Sequence, residues 1–216
     1  MKAAGRFGMD WHPLQTTAKN RGQLVFAMRQ GQLPMKRLPI IKQLTEGGFC
    51  IGLSVTWIAM QYEGEAFSVD GGICEWPPFR AVLYQNIAKI EGAPDWTDFW
   101  DTAGRPEQLR LSDGLRAKRN TKPTADFIYS IVTKAYGCYG ITMEGDAAAH
   151  AVAMRHGRDN RMHFFDPNFG HFAVADHTKL KAFLNWFFAQ VPFYQEKLNT
   201  MTGVIGIKPP INAKAG

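Results

Sequence analysis

The chain has 216 residues, 45% of them hydrophobic and 12% aromatic, with 20% charged residues and a formal net charge of +6. This mixture can build a sizeable core and excludes global disorder, and the length predicts one domain with room for two lobes. No apolar run reaches membrane-spanning length, and residues 1–22 lack the continuous apolar stretch of a cleaved secretory signal.

Residues 1–16 show little periodicity and read as an arm. A short helix is predicted from Thr17 to Arg29, ended by Gly31 and Pro34, followed by a loop from Gln30 to Gly48 with Pro34 and Pro39 as breakers. From Cys50 to Tyr62 two apolar series interleave, Ile51–Val55–Ile58 and Leu53–Trp57–Met60. That pattern predicts a central helix apolar on most sides, stopped by Gly64. Residues 70–78 read as a loop, Phe79–Ile90 as a helix, Asp95–Asp101 as a short helix, and 102–123 as a polar connection. Thr124 caps a helix reaching Tyr136. Beyond Gly137 the period changes: 138–143, 150–155, 161–166, 171–175 and 201–208 read as strands, with a helix from Lys179 to Gln190. The first part is then mainly helical and the second mainly antiparallel sheet, which argues for α+β.

The cysteines are three, Cys50, Cys74 and Cys138, with no CxxC and no zinc spacing. Free thiols are expected, and no metal site. Residues 1–42 hold eight basic residues against Asp10 alone, whereas residues 43–108 hold three basic and ten acidic. The functional reading of that acidic block is a receiver for a basic substrate segment; the plain one is solvated surface. The basic stretch 116–122 has no interleaved aromatic, so nucleic-acid binding is not expected. Glycine-rich spots such as Asp70-Gly71-Gly72 lack the Lys and the strand–helix context of a nucleotide site, and Ser54 lacks the Gly-x-Ser-x-Gly of a nucleophile elbow.

The chemistry lies in Cys50, His150 and Asp166. Gly47 and Gly48 precede a helix that begins at Cys50, and a helix start offers positive potential and free N–H groups to a thiolate and to an oxyanion. His150 and Asp166 flank the turn signal His-Gly-Arg-Asp-Asn at 156–160; a hairpin symmetric about Arg158 sets them directly opposite each other. A carboxylate there fixes the imidazole tautomer, and a one-residue slip separates the two faces. Gln43, with Thr45 as competitor, is the candidate side-chain donor to an oxyanion hole beside the Cys50 N–H. His12, His156, His163, His171 and His177 read as surface or satisfied histidines.

The order Cys, His, Asp with Gly-x-Cys-x-Gly-Leu-Ser-x-x-Trp resembles papain-like cysteine peptidases, and His-Ala-Val-Ala-Met with Phe-Phe-Asp-Pro-Asn-Phe-Gly resembles the YopT/AvrPphB-type bacterial effector proteases. The resemblance runs from Gln43 to Val174 and rests on two short islands. It implies a papain-like fold, with a helical lobe and central Cys-bearing helix packed against an antiparallel sheet lobe. It also implies a thiolate–imidazolium pair at Cys50 and His150, with Asp166 as orienter. Residues 43–216 would be the protease domain and 1–42 an arm, pro-segment or signal-like segment. No cofactor is expected. A monomer is expected, made in a bacterial cytoplasm and then secreted or delivered without a cleaved signal into a host or target cell, acting on a protein substrate such as a host signalling protein. Two alternatives stand beside it: a deamidase or transglutaminase using the same triad on Asn or Gln, and a binding module without activity.

Overall fold

The structure, a computed structural model, describes residues 12–21, 23–67 and 76–211. Among them, strands β1 (Leu24–Ala27), β2 (Arg110–Arg119), β3 (Gly137–Glu144), β4 (Ala149–His156), β5 (Met162–Asp166), β6 (Gly170–Val174) and β7 (Met201–Lys208) form one antiparallel sheet. Its order is β1-β6-β5-β4-β3-β7-β2.

The class is α+β, as the element pattern predicts, and the sheet is a central layer with helices on both faces. One face carries α3 (Cys50–Glu63), α4 (Trp76–Ile90) and α5 (Trp96–Gly104), whose Trp57, Ala81 and Trp100 pack with Ala151, Ala153, Phe165 and Ile205. The other carries α1 (His12–Asn20), α6 (Ala125–Val132), α7 (His177–Gln190) and α8 (Pro192–Lys197), whose Leu14, Ile128, Phe187 and Tyr194 pack with Val152, Met154, Phe164 and Val204. Both strand faces are therefore apolar, and alternation survives only as membership of one core or the other.

Local reasoning places α3 well: it begins at Cys50 and ends at Glu63, with Gly64 left-handed at φ 73°. Thr124 and Asp95 cap α6 and α5 through their side chains. The helix expected over 17–29 is instead α1, ending at Asn20, followed by edge strand β1 on β6. A four-residue strand held by a distant partner leaves no local period. The loop expected over 30–48 holds single 3₁₀ turns at Gln30–Gln32 and Pro34–Arg37 and a helix α2 (Pro39–Leu44), with Pro39 pre-set for a first helical position. The polar connection expected over 102–123 contains β2, whose register on β7 breaks between Leu111 and Arg116. An edge strand protected by charge and a bulge has the composition of a loop.

The β4–β5 hairpin corrects one expectation. Arg155 faces His163 and His156 faces Met162, so the ladder is centred on Asp159 rather than Arg158. Asn160, left-handed at φ 67°, donates to the Gly157 carbonyl and lengthens the turn. The shift displaces the partner of His150 by two residues, an even number that preserves the face, so Asp166 becomes a diagonal neighbour.

Helix α4 crosses α3 where Gly52 has no side chain: a Cβ there would lie 1.9 Å from the Ala81 carbonyl oxygen. Gly52→Ala is expected to destabilise the fold by about 1–3 kcal/mol, as overpacking does. A lower urea midpoint at unchanged slope would show it.

Candidate active site

Cys50 reaches its position through a turn that only glycine adopts easily. Gly47 and Gly48 stand at φ 84° and 92°, and the chain enters α3 with Phe49 as its uncapped flank. The N–H groups of Cys50 and Ile51 thus open α3 beside the half-buried thiol, while those of Gly52 and Leu53 are taken by Gln85 Oε1 and the Phe49 carbonyl.

His150 is the second residue of β4 and is 5% exposed; Asp166 ends β5 and is fully buried. His150 Nε2 donates to Asp166 Oδ1 at 3.0 Å, which leaves the other ring nitrogen for the Cys50 thiol, to which the imidazole is hydrogen-bonded. Asp166 Oδ1 also accepts the Asn168 N–H at 2.8 Å, and Oδ2 accepts the Tyr194 hydroxyl at 2.9 Å. Pro167 ends the strand and turns Asn168 back onto the carboxylate, while Pro192 opens the short helix that carries Tyr194.

Burial opposes charge on both reacting groups and is outweighed on both. It pushes the Cys50 thiol up, but the hydrogen bond and charge of His150, with the N–H groups of Ala151 and Ile51, bring it below its ordinary value. It pushes His150 down, but the Asp166 charge and hydrogen bond, and then Cys50, raise the imidazole to about 10. Each of the two groups thus favours the charged form of the other. Cys138, buried without such a partner, is pushed up to about 12. Cys74 lies outside the described residues. A nucleophilic thiolate, a proton carrier and an orienting carboxylate are the parts that acyl transfer requires.

Residues 105–202 match the model of the Peptidase C58 family, described as Yersinia/Haemophilus virulence surface antigen. The match contains His150 and Asp166 and stops short of Cys50, which the fold brings to them. The Pseudomonas avirulence protein AvrPphB superposes with a TM-score of 0.60 at 14% identity, covering 76% of this chain and 94% of that one. A ubiquitin-specific protease encoded by the murine cytomegalovirus tegument protein M48, solved with a ubiquitin-based suicide substrate, superposes with a TM-score of 0.50 at 14% identity, covering 89% and 90%. No curated protein matches by sequence. Residues 105–202 thus resemble that family, and the whole fold resembles that of AvrPphB. Among the described residues no helix is long and apolar enough to cross a membrane.

Gln43 lies exposed on α2, and its side chain joins none of the hydrogen bonds around Cys50 among the described residues; Thr45, the competitor, is buried and bonded to the Ile41 carbonyl. The amide that touches the Cys50 loop belongs to Gln30. Its Oε1 accepts the Phe49 N–H at 3.1 Å, its Nε2 donates to Asn168 Oδ1 at 2.8 Å, and its backbone N–H donates to the Pro167 carbonyl at 2.7 Å. Gln30 therefore braces the Cys50 turn against the Asp166 turn. Sequence reasoning missed Gln30, Asn168 and Tyr194. Of the three, only Asn168, two residues past Asp166 in a Pro-Asn turn, carried a local signal.

The remaining described histidines have other partners. His163 Nδ1 and His171 Nε2 lie 2.9 Å apart, and burial followed by the His163 charge pushes His171 down to about 3. His156 and His177 both meet Asn160 Oδ1. Among the described residues no group of His, Cys, Asp and Glu is placed to hold a metal. Five of the ten residues of the acidic block have a basic partner: Asp95 faces Arg116, Glu91 and Asp101 face Arg105, and Glu63 and Glu107 face Arg80. A cavity of about 1300 Å³ lined by Tyr62, Glu107, Tyr136, Arg155 and Pro209 opens at the far end of α3, about 20 Å of helix away from Cys50.

Two outcomes follow for thiol labelling. Alkylation of Cys50 should already be fast at pH values where an ordinary thiol is protonated, and stay level until pH approaches about 10, where His150 loses its proton. Asp166→Asn keeps an acceptor for His150 and the Asn168 N–H but removes the negative charge. Without it the imidazolium and then the thiolate weaken, and the Cys50 profile should move to higher pH by about 1–3 units. A profile unmoved by the substitution would contradict the coupling.

Proposed function

We propose that this chain cleaves a peptide bond of a protein target through an acyl-thioester on Cys50. One observation carries the reading: His150, which favours the ionised Cys50 thiol, is hydrogen-bonded at 3.0 Å to the fully buried carboxylate of Asp166. In the first half-reaction the Cys50 sulfur attacks the scissile carbonyl carbon, and the backbone N–H of Cys50 at the helix start stabilises the oxyanion. The C–N bond breaks as His150 passes its proton to the leaving amine. In the second, His150 takes a proton from water, the hydroxide adds to the thioester carbon, and the acid leaves as the thiol is restored.

The described virulence role of the matched family, and a structural neighbour that is a ubiquitin-specific protease, support a protein substrate in a host or target cell. Export or delivery into that cell, and action as a monomer, complete the proposal.

The test is incubation of purified chain with host-cell lysate, followed by mass spectrometry of protein termini and side chains. New termini that appear with the wild type and vanish with Cys50→Ala are the expected result. His150→Ala is expected to slow their appearance by about 10²–10⁴-fold, the usual worth of a general acid–base. A gain of about 1 Da at Asn or Gln without new termini would replace peptide hydrolysis by deamidation through the same thioester. Cleavage that survives Cys50→Ala would overturn the assignment of the nucleophile.

A further inference from the structure

The turn that delivers Cys50 is flanked by two lysines. Lys36, half-buried in the 3₁₀ turn Pro34–Arg37, holds its ammonium 5.4 Å from the centre of the Phe49 ring. Lys89, in the last turn of α4, donates to the Glu46 carbonyl at 3.4 Å. The path of α4 accounts for this placement. One turn before Lys89, Gln85 Oε1 accepts the Gly52 N–H at 3.1 Å, so the helix is pinned to the first turn of α3 and aims its end at residues 46–49.

Neither ammonium forms an ion pair with a carboxylate among the described residues. Burial and then the Lys89 charge lower Lys36; burial lowers Lys89, and the charge of Cys50 opposes that. The carboxylates of the region are accounted for differently. Asp166 is buried behind His150, Glu91 faces Arg105, and Glu46 is exposed and joins neither lysine in an ion pair. Two cations thus stand on the turn that leads into Cys50 without a carboxylate partner among the described residues, an arrangement that an incoming anion relieves.

We propose that Lys36 and Lys89 form a cationic subsite beside Cys50 that accepts a carboxylate of the substrate, an Asp or Glu side chain near the scissile bond. This rests on Cys50 being the nucleophile. It reverses the preference that a basic substrate segment would imply, since half of the acidic residues of 43–108 are paired with Arg80, Arg105 or Arg116.

The experiment needs no known substrate. Alkylation of Cys50 is timed with iodoacetate, an anion, and with iodoacetamide, its neutral analogue, at one pH and low salt, and read by the mass of the Cys50 peptide. The ratio of the two rates reports the field at the sulfur. Relative to wild type, the ratio should fall about 10-fold in the Lys36→Ala, Lys89→Ala double variant, within the range expected for local steering. It should be retained in the Lys36→Arg, Lys89→Arg variant, and should shrink in wild type as salt is raised. A ratio unchanged by the alanine pair would overturn the subsite while leaving the nucleophile intact. Cys50 labelling with both reagents no faster than Cys138 would instead overturn the nucleophile, and the subsite with it. In the lysate experiment, Asp or Glu should be enriched within a few residues of the new termini for wild type and not for the alanine pair; absence of enrichment in wild type would also overturn the proposal.

Discussion

The buried carboxylate of Asp166 constrains more of the molecule than any other single group. An ion in that position is tolerable only if its oxygens are fully engaged, since an unpaired buried charge costs several kcal/mol. Three donors meet it: His150 Nε2, the Asn168 N–H and the Tyr194 hydroxyl. They come from a neighbouring strand, from the turn just past β5, and from helix α8, 28 residues further along the chain. Satisfying one carboxylate therefore constrains the approach of β4, the shape of the Pro167–Asn168 turn and the docking of α8 together.

That engagement also accounts for where the thiol must be. By alternation His150 belongs with Val152 and Met154, on the face covered by α7 and α8, whereas α3 covers the face of Ala151 and Ala153. A thiol and an imidazole attached to opposite faces of a sheet meet only where the sheet ends. β4 begins at Ala149 and α3 begins at Cys50, so both groups stand at such an end, and the Ser54 hydroxyl bonded to the Ala151 carbonyl holds helix to strand. Gln30 spans the same end, joining Phe49 to Asn168 without passing through the imidazole. The Cys50 turn and the Asp166 turn are thereby braced independently of the proton they would share.

What was legible in the sequence follows from range. The start of α3 at Cys50, its stop at Gly64, the capping Thr124 and the strands beyond Gly137 depend on neighbours a few residues apart, and local chemistry reads them. Strands β1 and β2 are edge strands whose pairing is distant and whose composition is that of loops. They become strands only once β6 and β7 exist. The His150–Asp166 hairpin sits between these cases: turn chemistry found it but set its centre at Arg158 instead of Asp159, which moves the pairing by two residues. Face parity survived, and so did the contact. Gln30 and Tyr194 were illegible for a plain reason. Glutamine and tyrosine are common, and nothing near them in sequence marks a partner more than a hundred residues away for Gln30, or a buried carboxylate for Tyr194.

The electrostatics of the site lead to one further step. Thiolate with imidazolium carries no net charge, and neither does a thioester with neutral imidazole. The field that Lys36 and Lys89 impose is therefore the same before acylation, in the acyl-enzyme and after hydrolysis. A substrate carboxylate held by that field is held equally in ground and transition states, which is uniform binding. Its contribution belongs to capture of the substrate and to KM, whereas the contribution of Asp166, which changes how readily His150 carries a proton, belongs to kcat. Selectivity and chemical power would then reside in different residues at one end of α3: the lysines reach the turn from α4 and the Pro34–Arg37 segment, and the carboxylate lies behind the histidine in the sheet.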